Sequence, residues 1–443
     1  LFNCLAGVLV WGFRSFFRPL WQTHFSSMQK RHSLLLLFLA LFYGIANAQN
    51  KVPTIDTQRF GAKELLWDLK KLGATPSFSW LDPTSTVRSL TYESVAYNGK
   101  PTQVFAYYSN PDLLTGKQTG RKFPGIVLIH GGGGAAFKQW AEKWAADGYA
   151  AIAMDLGGKG ADGNFLPDAG PDQTHEAKFT AIENGDLHNV WSNHAVASVI
   201  LAHSWLLNRP EVQPNKTALT GISWGGYLTC LVASLDDRFK AAVPVYGCGY
   251  YDESDIFGED IGKLSPEARQ QWMRYFDPSS YLTYACVPLL FVNGNKDRFY
   301  NVVPYYKTYN LAQKTEKNIC YQPDMVHGHL QGWQPIEIRY FVDSKLNGGA
   351  PLPKIGEIKK KDMSVSTSYN AVVGLRSARF YHSSDTTSTN EKRAWASVEA
   401  KVDPARKTLT AELPEADFTY GFFYVTDHRE VSASSPIWVK REL

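Results

Sequence analysis

Gly221-Ile222-Ser223-Trp224-Gly225-Gly226 lies between a short apolar run, Thr217-Ala218-Leu219-Thr220, and a helix-forming one, Tyr227-Leu228-Thr229-Cys230-Leu231-Val232-Ala233. Strand, Gly-x-Ser-x-Gly and helix, in that order, describe a very tight turn. Its serine is held in a strained backbone conformation at the end of a buried strand. Gly221 and Gly225 leave room where the strand and helix backbones meet. The helix N-terminus at the serine favours negative charge developing there. A Gly-x-Ser-x-Gly alone is a weak signal, because both residues are common. Three further stretches, in the right order and on the right kinds of element, strengthen it.

The first is His130-Gly131-Gly132-Gly133-Gly134, which ends the apolar strand Gly125-Ile126-Val127-Leu128-Ile129. A glycine run after a buried strand exposes backbone N–H groups that no side chain shields. The N–H groups of Gly132 and Gly133, with that of Trp224 after the serine, are the candidates for an oxyanion hole. His130 is expected to brace this loop by hydrogen bonding rather than to act on substrate. The second stretch is Asn293-Gly294-Asn295-Lys296-Asp297, a turn-rich loop after the buried strand Val287-Pro288-Leu289-Leu290-Phe291-Val292. Functional groups of doubly wound sheets gather at such strand ends. The bland reading of Asp297 is an Asx-turn or the cap of the next helix. Asp324 and Asp343 compete with it, but neither follows a strand at the required place. The third stretch, Asp324-Met325-Val326-His327-Gly328-His329, carries two histidines. His327 is favoured as the base that takes the serine proton. His329 stays open as the competitor, and the histidine not used would support the site or touch substrate.

The remaining pattern alternates. Strands are expected at residues 125–129, 150–154, 217–220, 241–246, 288–292 and 319–322. Helices are expected at 137–147, 189–207, 226–234, 303–314 and 336–345. Alternation of this kind means a mostly parallel sheet covered on both faces. An amphipathic helix at 62–72 and a hairpin around Asn98-Gly99 precede it. Two long loops, 155–188 and 247–284, are expected to shape access. The second carries Tyr250, Tyr251, Trp272, Tyr275 and Phe276, which suggests a lid or rim. Asp155 is expected to stabilise its own turn. Pro351-Leu352-Pro353 and Lys359-Lys360-Lys361 mark a linker over 351–361. Residues 362–443 break into short β-like segments and read as a small β-sandwich-like accessory domain. The catalytic domain then spans 49–350.

The chain has 443 residues, 44% of them hydrophobic, and a net charge of +4. No basic stripe or nucleic-acid motif is present, so nucleic acid is not an expected partner. Met28, Lys30-Arg31, the apolar run 34–42 and Ala46-Asn47-Ala48 form a signal-peptide pattern over 28–48. Cleavage after Ala48 would release a secreted or periplasmic protein. The apolar run is too short to span a membrane. Residues 1–27 read as a spurious upstream extension, with a membrane-proximal segment as the alternative. Four cysteines remain after cleavage, Cys230, Cys248, Cys286 and Cys320. Cys286 and Cys320 flank the last two strands and could lie close, whereas Cys230 is expected to be buried and free. None stands in a metal-ligand pattern, and neither metal nor cofactor is expected.

Residues 87–347 resemble the α/β-hydrolase superfamily, carried by the four quoted stretches. Within it they are similar to the branch of dienelactone hydrolases, prolyl-oligopeptidase catalytic domains and acetyl xylan esterases. The resemblance implies Ser223 as nucleophile, Asp297 as acid and His327 as base, in the superfamily's chain order. Dienelactone hydrolases commonly use cysteine as the nucleophile, and this chain departs from them with a serine. The reading that follows is a secreted serine esterase acting on acylated carbohydrate, such as acetylated xylan. A prolyl-oligopeptidase-type peptidase is the alternative, although too few residues precede the first strand for a propeller. An aryl or polyester esterase is a third reading, and a non-catalytic binding protein on the same scaffold a fourth.

Overall fold

A computed structural model describes residues 52–440 apart from Ala416. The expected signal peptide at 28–48 and the extension at 1–27 lie outside the described residues. Nine strands form one sheet: β1 (Phe78–Asp82), β2 (Arg88–Tyr97), β3 (Lys100–Ser109), β4 (Phe123–Ile129), β5 (Ala150–Met154), β6 (Val212–Ile222), β7 (Ala241–Val245), β8 (Leu289–Lys296) and β9 (Lys317–Val326). Their order is β1-β2-β3-β5-β4-β6-β7-β8-β9. From β5 to β9 each pair is parallel, and β1 to β3 join antiparallel at one edge. The central strands β4, β5 and β7 are buried along their whole length, as a sheet covered on both faces requires. The helices that cover it include α1 (Lys138–Ala146), α2 (Trp191–Leu207), α3 (Trp224–Leu235), α4 (Val302–Leu311) and α5 (Ile336–Leu346). All seventeen residues of α2 are buried, so its apolar residues run all round the helix instead of along one stripe.

Three expectations differ from the structure. The helix expected over 62–72 is only Leu69–Leu72, because the Asp68 side chain accepts the Lys71 N–H and starts the helix there. Trp67 is turned inward, with its indole donating to Asn193 O at 3.0 Å. The turn expected at 293–296 is instead the end of β8. Gly294 pairs with Gln322 there, and a Cβ on it would lie 1.9 Å from Met325 O. The aromatic residues of 247–284 do not form a rim. Tyr251, Trp272, Tyr275 and Phe276 are buried; Tyr251 packs on Trp224 at 5.4 Å, Trp272 on Tyr251 at 5.3 Å and Phe276 on Trp272 at 6.4 Å. Aromatic area is so large an apolar payload that burial wins when a core surface is near. The loop at 155–188 does match its reading at Asp155, whose carboxylate accepts the Gly157 and Lys159 N–H groups.

The C-terminal region forms two antiparallel five-stranded sheets. One has the order β10-β12-β16-β15 with β11 on β12, the other β14-β13-β17-β18 with β19 on β17. The strands are β10 (Lys354–Ile355), β11 (Lys359–Lys361), β12 (Ser364–Asn370), β13 (Leu375–Ser383), β14 (Ala396–Glu399), β15 (Lys401–Asp403), β16 (Thr408–Glu412), β17 (Tyr420–Asp427), β18 (Ser432–Ser434) and β19 (Trp438–Val439). β10 and β11 fall inside the expected linker and pair with β12. Alternation along β17 divides its side chains between two cores. Phe423 and Val425 join the core between these two sheets, whereas Phe422 packs on Tyr321 of β9 at 5.1 Å. Hydrogen bonds fasten the same face. The Tyr321 N–H donates to Ser434 Oγ at 2.9 Å, and the Ser432 N–H to Glu337 Oε1 at 2.8 Å.

Candidate active site

β6 delivers Ser223 to the end of the sheet in a conformation few side chains adopt, φ 60° and ψ −117°. Crowding on either side fixes that turn. A Cβ at Gly221 would lie 2.2 Å from Gly225 O, and one at Gly225 would lie 2.1 Å from Ile129 O. The Ser223 N–H donates to Val245 O at 2.9 Å, so the turn is also pinned to β7. α3 starts at the next residue, and the Trp224 N–H, first in the helix, has no acceptor within it.

The structure brings Ser223, His327 and Asp297 into one chain of hydrogen bonds. His327 Nε2 lies 3.0 Å from Ser223 Oγ, and His327 Nδ1 lies 3.0 and 3.1 Å from the two oxygens of Asp297. A proton on Nδ1, donated to the carboxylate, leaves the Nε2 lone pair free for the serine O–H. Asp297 is fully buried, and its Oδ1 also accepts the N–H groups of Phe299 and Tyr300 at 2.8 and 3.2 Å. Tyr246 packs on the imidazole at 4.4 Å, and its hydroxyl lies within hydrogen-bond reach of Val326 O and Gly328 O, on either side of His327. His329 does not bond Ser223. It packs on Phe137 at 5.2 Å, and its buried Nε2 has no partner among the described residues. Burial, with His130 and His327 nearby, lowers its pKa and keeps the ring neutral.

The glycine loop divides its N–H groups. The Gly133 N–H donates to Gln173 Oε1 at 2.8 Å, which corrects its assignment as an oxyanion donor: a donor already paired does not face the reacting oxygen. The Gly134 N–H is likewise taken, by Gly131 O. Among the described residues the N–H groups of Gly132 and Trp224 have no acceptor. A Cβ on Gly132 would lie 2.7 Å from Trp224 Cδ1, so no larger residue fits there without displacement. His130 braces the loop from below: its Nδ1–H donates to Gly131 O at 2.7 Å and its Nε2 accepts the Leu156 N–H at 2.9 Å. Burial lowers its pKa and keeps it neutral in that role.

Sequence reading missed the contribution of the C-terminal region. Asn390 Nδ2 donates to the main-chain carbonyl of Asp297 at 2.9 Å. Arg393 Nη1 donates to Asn390 Oδ1 at 2.8 Å, and Lys296 Nζ to Arg393 O at 2.7 Å. No local pattern announces contacts between residues so far apart in the chain. Among the described residues the four cysteines are unpaired; Cys286 is exposed, and Cys230, Cys248 and Cys320 are buried. Among the described residues no three His, Cys, Asp or Glu side chains are grouped to hold a metal, and no helix is long and apolar enough to cross a membrane.

A mostly parallel, doubly wound sheet with a strained serine between a strand and a helix defines the α/β-hydrolase class. Residues 112–331 match the model of the dienelactone hydrolase family, and the chain carries a domain of that family, a family of hydrolases. Among solved structures, the acetyl xylan esterase from Paenibacillus sp. R4 shares the fold with a TM-score of 0.50 at 19% identity, over 66% of this chain and 99% of that one. Acetyl xylan esterase 1 from Thermoanaerobacterium sp. JW/SL YS485 is similar with a TM-score of 0.47 at 17% identity, over 66% and 99%. The Pyrococcus horikoshii acylaminoacyl peptidase is similar with a TM-score of 0.45 at 19% identity, over 59% of this chain and 42% of that one. Among curated proteins, none matches the sequence.

Proposed function

We propose that the chain is an exported serine esterase that removes acyl groups, acetyl foremost, from acylated carbohydrate. The observation that carries the reading is the Ser223–His327–Asp297 relay, with 3.0 Å between His327 Nε2 and Ser223 Oγ. Ser223 Oγ attacks the acyl carbon as its proton passes to His327 Nε2. Negative charge on the former carbonyl oxygen meets the N–H groups of Gly132 and Trp224. His327 then gives the proton to the departing sugar oxygen. Water, deprotonated by the same nitrogen, attacks the acyl-serine, and the acid leaves with Ser223 restored. Asp297 keeps the imidazole in the tautomer both steps need.

The signal-peptide pattern supports a substrate met outside the cytoplasm. Acetate release from acetylated xylan, measured beside p-nitrophenyl acetate, tests the reading with wild type against Ser223→Ala. Loss of both activities in the variant supports it. Turnover of the model ester alone moves the substrate to aryl esters, other acylated glycans or peptides. Wild-type inactivity on every ester contradicts it.

A further inference from the structure

Lys178 ends the short helix His175–Lys178 in the loop between β5 and α2. The residue is only 7% exposed, yet its ammonium has no hydrogen bond or ion pair among the described residues. Its Nζ stands 4.6 Å from the ring centre of Trp224 and 5.2 Å from that of Trp191. A Cβ on Gly132 would lie 3.6 Å from it. The charge therefore sits beside Gly132 and Trp224, the two residues whose N–H groups flank Ser223 as oxyanion donors. The two indole faces hold the cation in place, but they compensate only part of the hydration it loses. Burial lowers the pKa to about 8, so most of the population is still charged at pH 7. An ammonium so placed has three donors and no acceptor among the described residues, and the Asp172 carboxylate acts on it only from beyond ion-pair distance.

We propose that Lys178 is an anion subsite beside the nucleophile, and that the preferred substrate carries a carboxylate or sulfate on the sugar bearing the acyl ester. One unpaired cation suits one monoanionic group. Acylated uronic acids and acylated sulfated sugars both present it within a ring's width of the ester oxygen. This deepens the esterase reading above and rests on it.

The test compares kcat/KM on three acetylated glycosides with the same leaving position, namely methyl glucoside, methyl glucuronoside and methyl glucoside sulfate. The expected result is a wild-type preference for one or both anionic substrates of roughly 10- to 100-fold, the worth of a charged hydrogen bond. Lys178→Met abolishes that ratio, chiefly through KM. The two anionic substrates distinguish carboxylate from sulfate. Equal wild-type rates on all three overturn the proposal. An equal loss on all three in Lys178→Met also overturns it, by placing the ammonium on the oxyanion or in packing. Binding to the wild type gives a readout independent of the variant. Methyl glucuronoside or glucose sulfate should change the tryptophan fluorescence, through Trp191 and Trp224, at concentrations where methyl glucoside does not. No such difference counts against the subsite. Turnover of p-nitrophenyl acetate separates the two ideas: if it proceeds without any anion preference, only the subsite fails; if it is absent, the esterase reading fails.

Discussion

Asn390→Ala removes a contact between the C-terminal region and the loop of the proposed catalytic acid. Asn390 is 1% exposed and makes two buried hydrogen bonds, one to Asp297 O and one from Arg393 Nη1. Truncation leaves the Asp297 carbonyl and one guanidinium N–H without partners. Each unsatisfied buried group costs about 1–3 kcal/mol, so the loss of stability should be roughly 2–6 kcal/mol. The chemistry should suffer separately. The Asp297 main chain is tied to the C-terminal region by Asn390, and a shift of about 1 Å in a positioning group can cost 100-fold in rate. Asn390→Asp separates the two effects: a carboxylate still accepts from Arg393 but cannot donate to Asp297 O. Urea unfolding followed by tryptophan fluorescence reads stability, and kcat on p-nitrophenyl acetate at temperatures well below unfolding reads the site. The expected result is a large stability loss for Asn390→Ala, a smaller one for Asn390→Asp, and a kcat lowered at least tenfold in both with KM little changed. Wild-type kcat in both variants would refute the reasoning and leave Asn390 a packing residue.

Two further outcomes follow from the geometry. Asp297→Asn keeps the shape of the site but offers His327 Nδ1 a donor or a weaker acceptor, so kcat should fall by about 10⁴ in steady-state ester hydrolysis. Gly132→Ala places a methyl group 2.7 Å from Trp224 Cδ1 and must displace one of the two free N–H donors, so kcat should fall by roughly 10²–10³ with folding retained by circular dichroism.

The sequence is most legible where chemistry forces local pattern. The serine turn needs glycines because backbone atoms approach it within van der Waals contact, and Gly221 and Gly225 therefore stand out in the sequence. The parallel strands stand out because burial on both faces leaves continuous apolar runs, as in Gly125-Ile126-Val127-Leu128-Ile129. Ser223, Asp297 and His327 follow from strand ends in chain order, and the structure brings them within hydrogen-bond reach. Legibility fails where the deciding partner is distant. Gly133 looks equal to Gly132 until Gln173 takes its N–H. The aromatic residues of 247–284 have the composition of a rim, but Trp224 and Tyr227 offer them a core. Asn390 and Arg393 carry no motif, since their roles depend on how β17 and β18 dock on β9. Lys178 is one lysine among many until two indoles enclose it.

Covalent labelling with a fluorophosphonate, located by peptide mass spectrometry, tests the central claim most directly. The account predicts a single stoichiometric adduct on Ser223, formed at a rate that Asp297→Asn and His327→Ala each lower by orders of magnitude, with ester hydrolysis lost as the adduct forms. No adduct on Ser223, or one that forms as fast without His327, would contradict it.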